Sequence, residues 1–145
     1  MCLPLKADKT IETTAGERLE GGRLKIALDA MGGDFAPEEN VRGAVLAARD
    51  LGIEIVLVGD KTAVETGLAQ AGGSMLPISV VHAGSVIPMD EHHPVDALRK
   101  MRDASVLVAC DLAARGEADA IVSAGNTGAT MIASILRLKR IRGAE

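Results

Sequence analysis

Short, nearly unbroken apolar runs alternate along the chain with longer stretches in which apolar residues recur every third or fourth position. These runs are Ile26-Ala-Leu28, Ile53 to Val58, Ile78 to Val81 and Ala118 to Val122, the last three each with a single polar residue. Each is long enough for a strand and too short for a helix, and strands buried on both faces have this continuous character. Between the first two runs, Val41, Ala44, Val45 and Ala48 form a helical stripe, with Pro37 in the first turn and Gly52 as its stop. Thr62 and Glu65 read as a capping box opening a short helix that ends at Gly72-Gly73. Pro94 restarts a helix to about Arg102. Another runs from Ser105 to Arg115, with Val106, Ala109, Cys110 and Ala113 on one face and Gly116 closing it, and a last helix runs through Leu138. Strands alternating with helices predict right-handed crossovers and an α/β fold, its parallel sheet covered on both faces. Residues 1–22 are polar and aperiodic and end in Gly21-Gly22; they read as a loose extension, leaving 23–145 as the α/β part.

Composition removes several function classes. Phe35 is the only aromatic residue, so the core is aliphatic and the stacking platforms of single-strand binders are missing. A net charge of −4 gives no basic face for a nucleic acid. Cys2 and Cys110 lie far apart with no metal-ligand spacing, so neither a zinc site nor a disulfide framework is expected. No run approaches the ~20 apolar residues of a membrane-spanning helix. The acidic opening is unlike a signal or transit peptide. A soluble protein of the reducing cytosol fits these features.

Two strand ends carry unusual loops, and parallel sheets bind ligands beyond the carboxyl ends of their strands. The later loop, Ser123-Ala-Gly-Asn-Thr-Gly128, joins an apolar strand to an apolar helix. Gly125 and Gly128 permit close approach of a ligand, and Ser123, Asn126 and Thr127 supply polar groups. The helix that follows adds orphan N–H groups and the positive end of its dipole, so the segment reads as a cradle for phosphate or carboxylate. A plainer reading makes Asn126 or Thr127 only the cap of that helix. The earlier loop places Asp29 and Asp34 around Gly32-Gly33. Its carboxylates suit substrate orientation or acid–base work; alternatively Asp34 caps the next helix and Asp29 closes the strand. Both loops are expected on one rim of the sheet, Gly32 and Gly33 facing Ser123–Gly128, with Gly33→Val harming catalysis more than stability. His82, His92 and His93 have no evident nucleophile partner. Arg99, Lys100 and Arg102 form a basic cluster near Ser105 that is either a solvated face or an aid to anion binding.

Taken together, these stretches resemble the bacterial phosphate acyltransferases, the PlsX family. The likeness runs through Ile26-Ala-Leu-Asp-Ala-Met-Gly-Gly-Asp-Phe-Ala-Pro37, Leu57-Val-Gly-Asp60, the Arg99-to-Ser105 region and Val122-Ser-Ala-Gly-Asn-Thr-Gly-Ala129, covering about residues 24 to 143. It implies transfer of a fatty acyl group from acyl carrier protein to inorganic phosphate in phospholipid synthesis. The implied protein is a cytoplasmic homodimer, peripheral at the inner face of the membrane, with no cofactor and no metal. The implied fold is similar to the isocitrate dehydrogenase-like and phosphotransacetylase sandwich, incomplete in this chain. Phosphate is itself the nucleophile in that reaction, which accords with the missing Ser–His pair. Candidate binding residues are Asp29, Gly32, Gly33, Asp34, Arg99, Ser105, Ser123, Gly125, Asn126, Thr127 and Gly128, with no catalytic residue assigned.

The chain departs from the family at Ala104-Ser105, where a pair of serines is usual, and at Met101, where a polar residue is usual. Family members also continue well beyond residue 145, so the chain is expected to be an N-terminal part, inactive by itself. Two other readings stay open. One is a pyridoxal-phosphate enzyme whose serine- and glycine-rich loop holds a substrate carboxylate, although no lysine sits in an obvious Schiff-base context. The other is an anion-binding module without catalysis.

Overall fold

The computed structural model describes residues 23–140, so the extension read at 1–22 lies outside the described residues. Four strands, β1 (Lys25–Asp29), β2 (Glu54–Gly59), β3 (Ile78–His82) and β4 (Ala120–Ser123), pair in the order β3-β2-β1-β4, all parallel. Four helices connect them, α1 (Glu38–Leu51), α2 (Lys61–Gln70), α3 (Pro94–Lys100) and α4 (Ser105–Ala114), and α5 (Thr127–Leu138) follows the last strand. This is the α/β parallel-sheet architecture that the hydrophobic pattern predicts.

Side chains along a strand point alternately to its two faces, and β2 shows how both become buried. Ile55 and Leu57 pack with Val41, Val45 and Val64 under α1 and α2. Val56 and Val58 face the other way, onto Ala109 and Leu112 of α4. Beyond α4, Ala129 and Ala133 of α5 pack with Leu107 and Cys110. Phe35 is 76% exposed, so the core of the described residues is wholly aliphatic.

Three element ends differ from the sequence reading. Helix α2 is capped by Asp60, whose carboxylate accepts the Ala63 N–H at 2.8 Å; Thr62 and Glu65 lie inside the helix, and Glu65 pairs with Lys61. An extended aspartate directly after a strand is at least as good a cap as threonine, and its charge also suits the helix N-terminus. Pro37 is the residue before α1, not part of its first turn. Helix α3 stops at Lys100 because Met101 leaves helical geometry, and Arg102 lies in the turn that follows.

The outer face of α5 is apolar and open, with Met131, Ile135 and Leu136 exposed, and Val122 on the edge strand β4 is half exposed. Cys110 lies fully buried at the α4–α5 contact, its sulfur 3.9 Å from Ser134 Oγ. Burial pushes its thiol pKa up, which suppresses the thiolate that alkylating agents require. Iodoacetamide at mildly alkaline pH is therefore expected to leave Cys110 unmodified in the folded chain and to modify it in denaturant. Peptide masses check this, and rapid labelling of the native chain would contradict the packing.

Candidate functional site

The chain moves outward from β1 to β2 to β3, then returns to place β4 on the other side of β1. Strand order reverses at the β1–β4 junction, and the connections leaving these strands diverge to opposite faces. Such a switch point leaves a crevice at the carboxyl ends of the strands. Here Asp29, the last residue of β1, is in register with Ser123, the last of β4. The two glycine-rich loops consequently leave the sheet side by side. Their contact is close: a Cβ on Gly32 would lie 2.7 Å from the Gly125 nitrogen.

Asp29 is 3% exposed and joins the loops. Its Oδ1 accepts the Met31 N–H at 3.1 Å, and its Oδ2 accepts the Ser123 hydroxyl at 2.8 Å. Ser123 Oγ in turn accepts the Gly125 N–H at 3.1 Å. With its proton committed to Asp29, Ser123 orders the loop and is not a free donor.

Asn126 is committed in the same way. Its side-chain oxygen caps α5 by accepting the Ala129 N–H at 2.9 Å, while its amide donates to the carbonyls of Met89 at 3.0 Å and Glu91 at 3.1 Å. That residue clamps the 83–93 loop against the start of α5. The bland capping role foreseen for Asn126 is thus present, with a second structural role added.

Ser105 is different. It opens α4, is 1% exposed and lines the crevice, and its hydroxyl has no hydrogen-bond partner among the described residues. Ala104, in the cap position before it, offers no side-chain acceptor to the helix. The crevice therefore collects the N-terminal ends of α4 and α5, a polar hydroxyl and loop backbone, above the Asp29 carboxylate. Its volume is about 10 Å³, room for roughly one water. Anything larger requires the Val86–Ile87 wall to move or binds at the mouth. A larger hollow of about 680 Å³ lies between α1 and α2, lined by residues such as Arg42, Asp60 and Gln70. It shares no residue with the crevice, and size alone does not make it the site.

Of the residues singled out in the sequence, Asp29, Gly32, Ser105, Ser123, Gly125 and Asn126 line this one crevice. Gly33 stands against Ala124 with φ +108°, a conformation that other residues adopt only under strain. Turn geometry thus favours a glycine there, so Gly33→Val carries a stability cost of its own beside any effect on catalysis. Asp34 does not cap α1, whose N-cap residue Pro37 makes no side-chain bond. Gly128 packs close to Pro94, and exposed Thr127 begins α5 without lining the crevice. Arg99 is exposed, paired at 3.8 Å with Asp96, and also outside the lining.

Two residues escaped the sequence reading. Asn40 on α1 donates to the carbonyls of Ala30 at 3.0 Å and Gly32 at 2.7 Å, holding the first loop to its helix. Thr130 lines the crevice and donates to the Asn126 carbonyl at 3.0 Å. Asn40 carries a weak signal, an asparagine in a first helical turn beside a glycine loop; Thr130 ends the small polar stretch 123–130 but carries no signal of its own as a binding residue.

The family described as fatty acid synthesis protein matches residues 24–145. The chain belongs to this family. Among curated relatives, the phosphate acyltransferase of Desulforamulus reducens is 52% identical over 124 residues, 84% of this chain and 36% of that protein. That of Heliobacterium modesticaldum is 51% identical over 123 residues, again 84% and 36%. That of Geobacter sulfurreducens is 48% identical over 122 residues, covering 84% of this chain and 35% of the relative. The chain spans about a third of the length of these relatives. All crevice residues fall inside the stretch matched by the fatty acid synthesis family. No lysine lines the crevice, so nothing there favours the pyridoxal-phosphate reading. No helix among the described residues is long and apolar enough to cross a membrane.

Proposed function

We propose that this chain carries the phosphate-holding part of a phosphate acyltransferase, which in its whole form makes acyl phosphate from acyl carrier protein thioester and inorganic phosphate for phospholipid synthesis. In the reaction a phosphate oxygen attacks the thioester carbonyl, the C–O bond forms as the C–S bond breaks, and the departing thiolate takes a proton. Phosphate is the nucleophile, so the protein's task is to hold an anion against the acyl group and to stabilise the developing oxyanion. The observation that carries the proposal is the Ser105 hydroxyl, engaged by no hydrogen bond among the described residues, on a nearly buried residue that lines the crevice where the N-termini of α4 and α5 meet. Helix N-termini and a hydroxyl donor suit a phosphate oxygen. Gly32 and Gly125 let the two loops pack against each other closely at the crevice.

In this reading the full protein is a cytoplasmic homodimer, peripheral at the membrane, and residues 23–145 form the N-terminal portion of its catalytic domain. The test is a chimaera in which residues 24–145 are continued by the remaining sequence of the Desulforamulus reducens relative. With acyl carrier protein thioester and phosphate, it should form acyl phosphate, trapped as a hydroxamate. Ser105→Ala should raise its phosphate KM roughly 10-fold or more, the loss of one hydrogen bond to a charged group. The 145-residue chain alone should form none. A folded but inactive chimaera, beside an active relative, would remove the proposal.

A further inference from the structure

We infer that Asp29 makes the crevice selective for an anion that carries a proton, so that it takes phosphate and refuses sulfate. The inference rests on the reading of the crevice as the phosphate site and adds the basis of its selectivity. Asp29 sits at the floor of the crevice, 3% exposed, with both oxygens already accepting hydrogen bonds. The direction of the Ser123 bond is settled locally. A carboxylate oxygen accepts, so the Ser123 proton goes to Asp29, while Ser123 Oγ receives the Gly125 N–H. A carboxylate has about four lone-pair positions, of which protein donors among the described residues occupy two. No lysine or arginine lines the crevice to neutralise the charge.

An oxyanion that displaces the Val86–Ile87 wall to reach Ser105 and the helix ends meets a carboxylate with acceptor capacity to spare. Fully ionised sulfate can only repel it. Hydrogen phosphate carries a P–OH group that turns the same contact into a hydrogen bond. A site built around a specific hydrogen bond rejects an analogue that cannot make it, because the protein's polar group is then left unpaired. For a phosphate-consuming enzyme the same contact also places an acceptor on the nucleophile's proton.

Titration of the 145-residue chain with phosphate, arsenate and sulfate, at constant ionic strength and neutral pH, tests the inference. Phosphate and arsenate, which both carry a proton, should bind alike, and sulfate roughly 100-fold more weakly. In Asp29→Asn, which keeps the shape and can donate through its amide, the preference for phosphate should fall to about threefold or less. Sulfate binding to the unaltered chain as well as arsenate does, or an unchanged preference in Asp29→Asn, overturns the selectivity while leaving the anion site in place. Binding of none of the three anions overturns the site and the selectivity together. If Asp29→Asn does not fold, the arsenate-to-sulfate ratio of the unaltered chain decides alone.

Discussion

Asn126→Ala is expected to lower the stability of the fold by about 2–3 kcal/mol, summing one helix cap and two side-chain hydrogen bonds. For a chain of this size that is a fall in melting temperature of roughly 6–15 °C. The cap bond to Ala129 disappears, and so do the two amide bonds holding the carbonyls of Met89 and Glu91. Those carbonyls belong to the loop that supplies Val86 and Ile87 to the crevice wall, so phosphate affinity should weaken as well. Asn126→Asp separates the two roles. An aspartate still caps α5 but cannot donate to the loop, so it should recover about 1 kcal/mol of the loss and no more. Thermal melts of the three proteins check this. A melting temperature unmoved in Asn126→Ala, together with weaker phosphate binding, would show that the amide serves the ligand and not the loop.

The fold was legible where local chemistry decides it. Every strand and helix read from apolar periodicity is present, and Gly52 ends α1 at φ +64° as a left-handed stop. The errors sit at helix starts, where neighbouring residues compete for one role: Asp60 outcompetes Thr62 for α2, and Pro37 precedes α1. Sheet order was only partly legible. The first strand is expected beside the one that carries Ser123, and β4 does pair with β1; the full order, with the reversal at β1 that makes the rim a crevice, depends on β4 pairing there rather than with β3. That choice is made by packing between distant segments, for which periodicity has no signal.

The candidate site follows the same division. Serine, asparagine and glycine in the 123–128 loop announced polar work at a strand end, and that work is visible. Its assignment within the loop was not legible, because the partners are remote. Ser123 gives its proton to a residue 94 positions earlier, and Asn126 donates to carbonyls 35 and 37 positions earlier. Both were read as ligand donors and are committed to the protein itself. Ser105 carried the weaker sequence signal, yet it is the polar group left without a partner at the crevice.

Gly32→Ala is expected to disrupt the protein, because the two loops meet there through backbone alone. A Cβ on Gly32 would stand 2.7 Å from the Gly125 nitrogen and 2.9 Å from its Cα, and 2.8 Å from Asp29 Oδ2. Two of these atoms are backbone, and the third ends a short side chain that is already held in place. Asp29 is held by Met31 and Ser123, and Gly125 by Ser123. Accommodation therefore requires the ends of β1 and β4 to part, which breaks the Ser123–Asp29 bond and spoils the crevice. The cost should be about 3 kcal/mol or more, the upper range for overpacking, with phosphate binding lost. Gly33→Val should lose roughly 1–3 kcal/mol for a different reason, the positive φ of +108°. Gly43 supplies the control. It lies within α1, and nothing comes within 4 Å of the position a Cβ would take. Gly43→Ala should therefore raise stability by about 0.5–1 kcal/mol, through helix propensity alone. Chemical denaturation of the three variants should rank them with Gly43→Ala above the unaltered chain and Gly32→Ala last. A Gly32→Ala protein as stable as the unaltered chain, and still binding phosphate, would mean that the two loops do not touch.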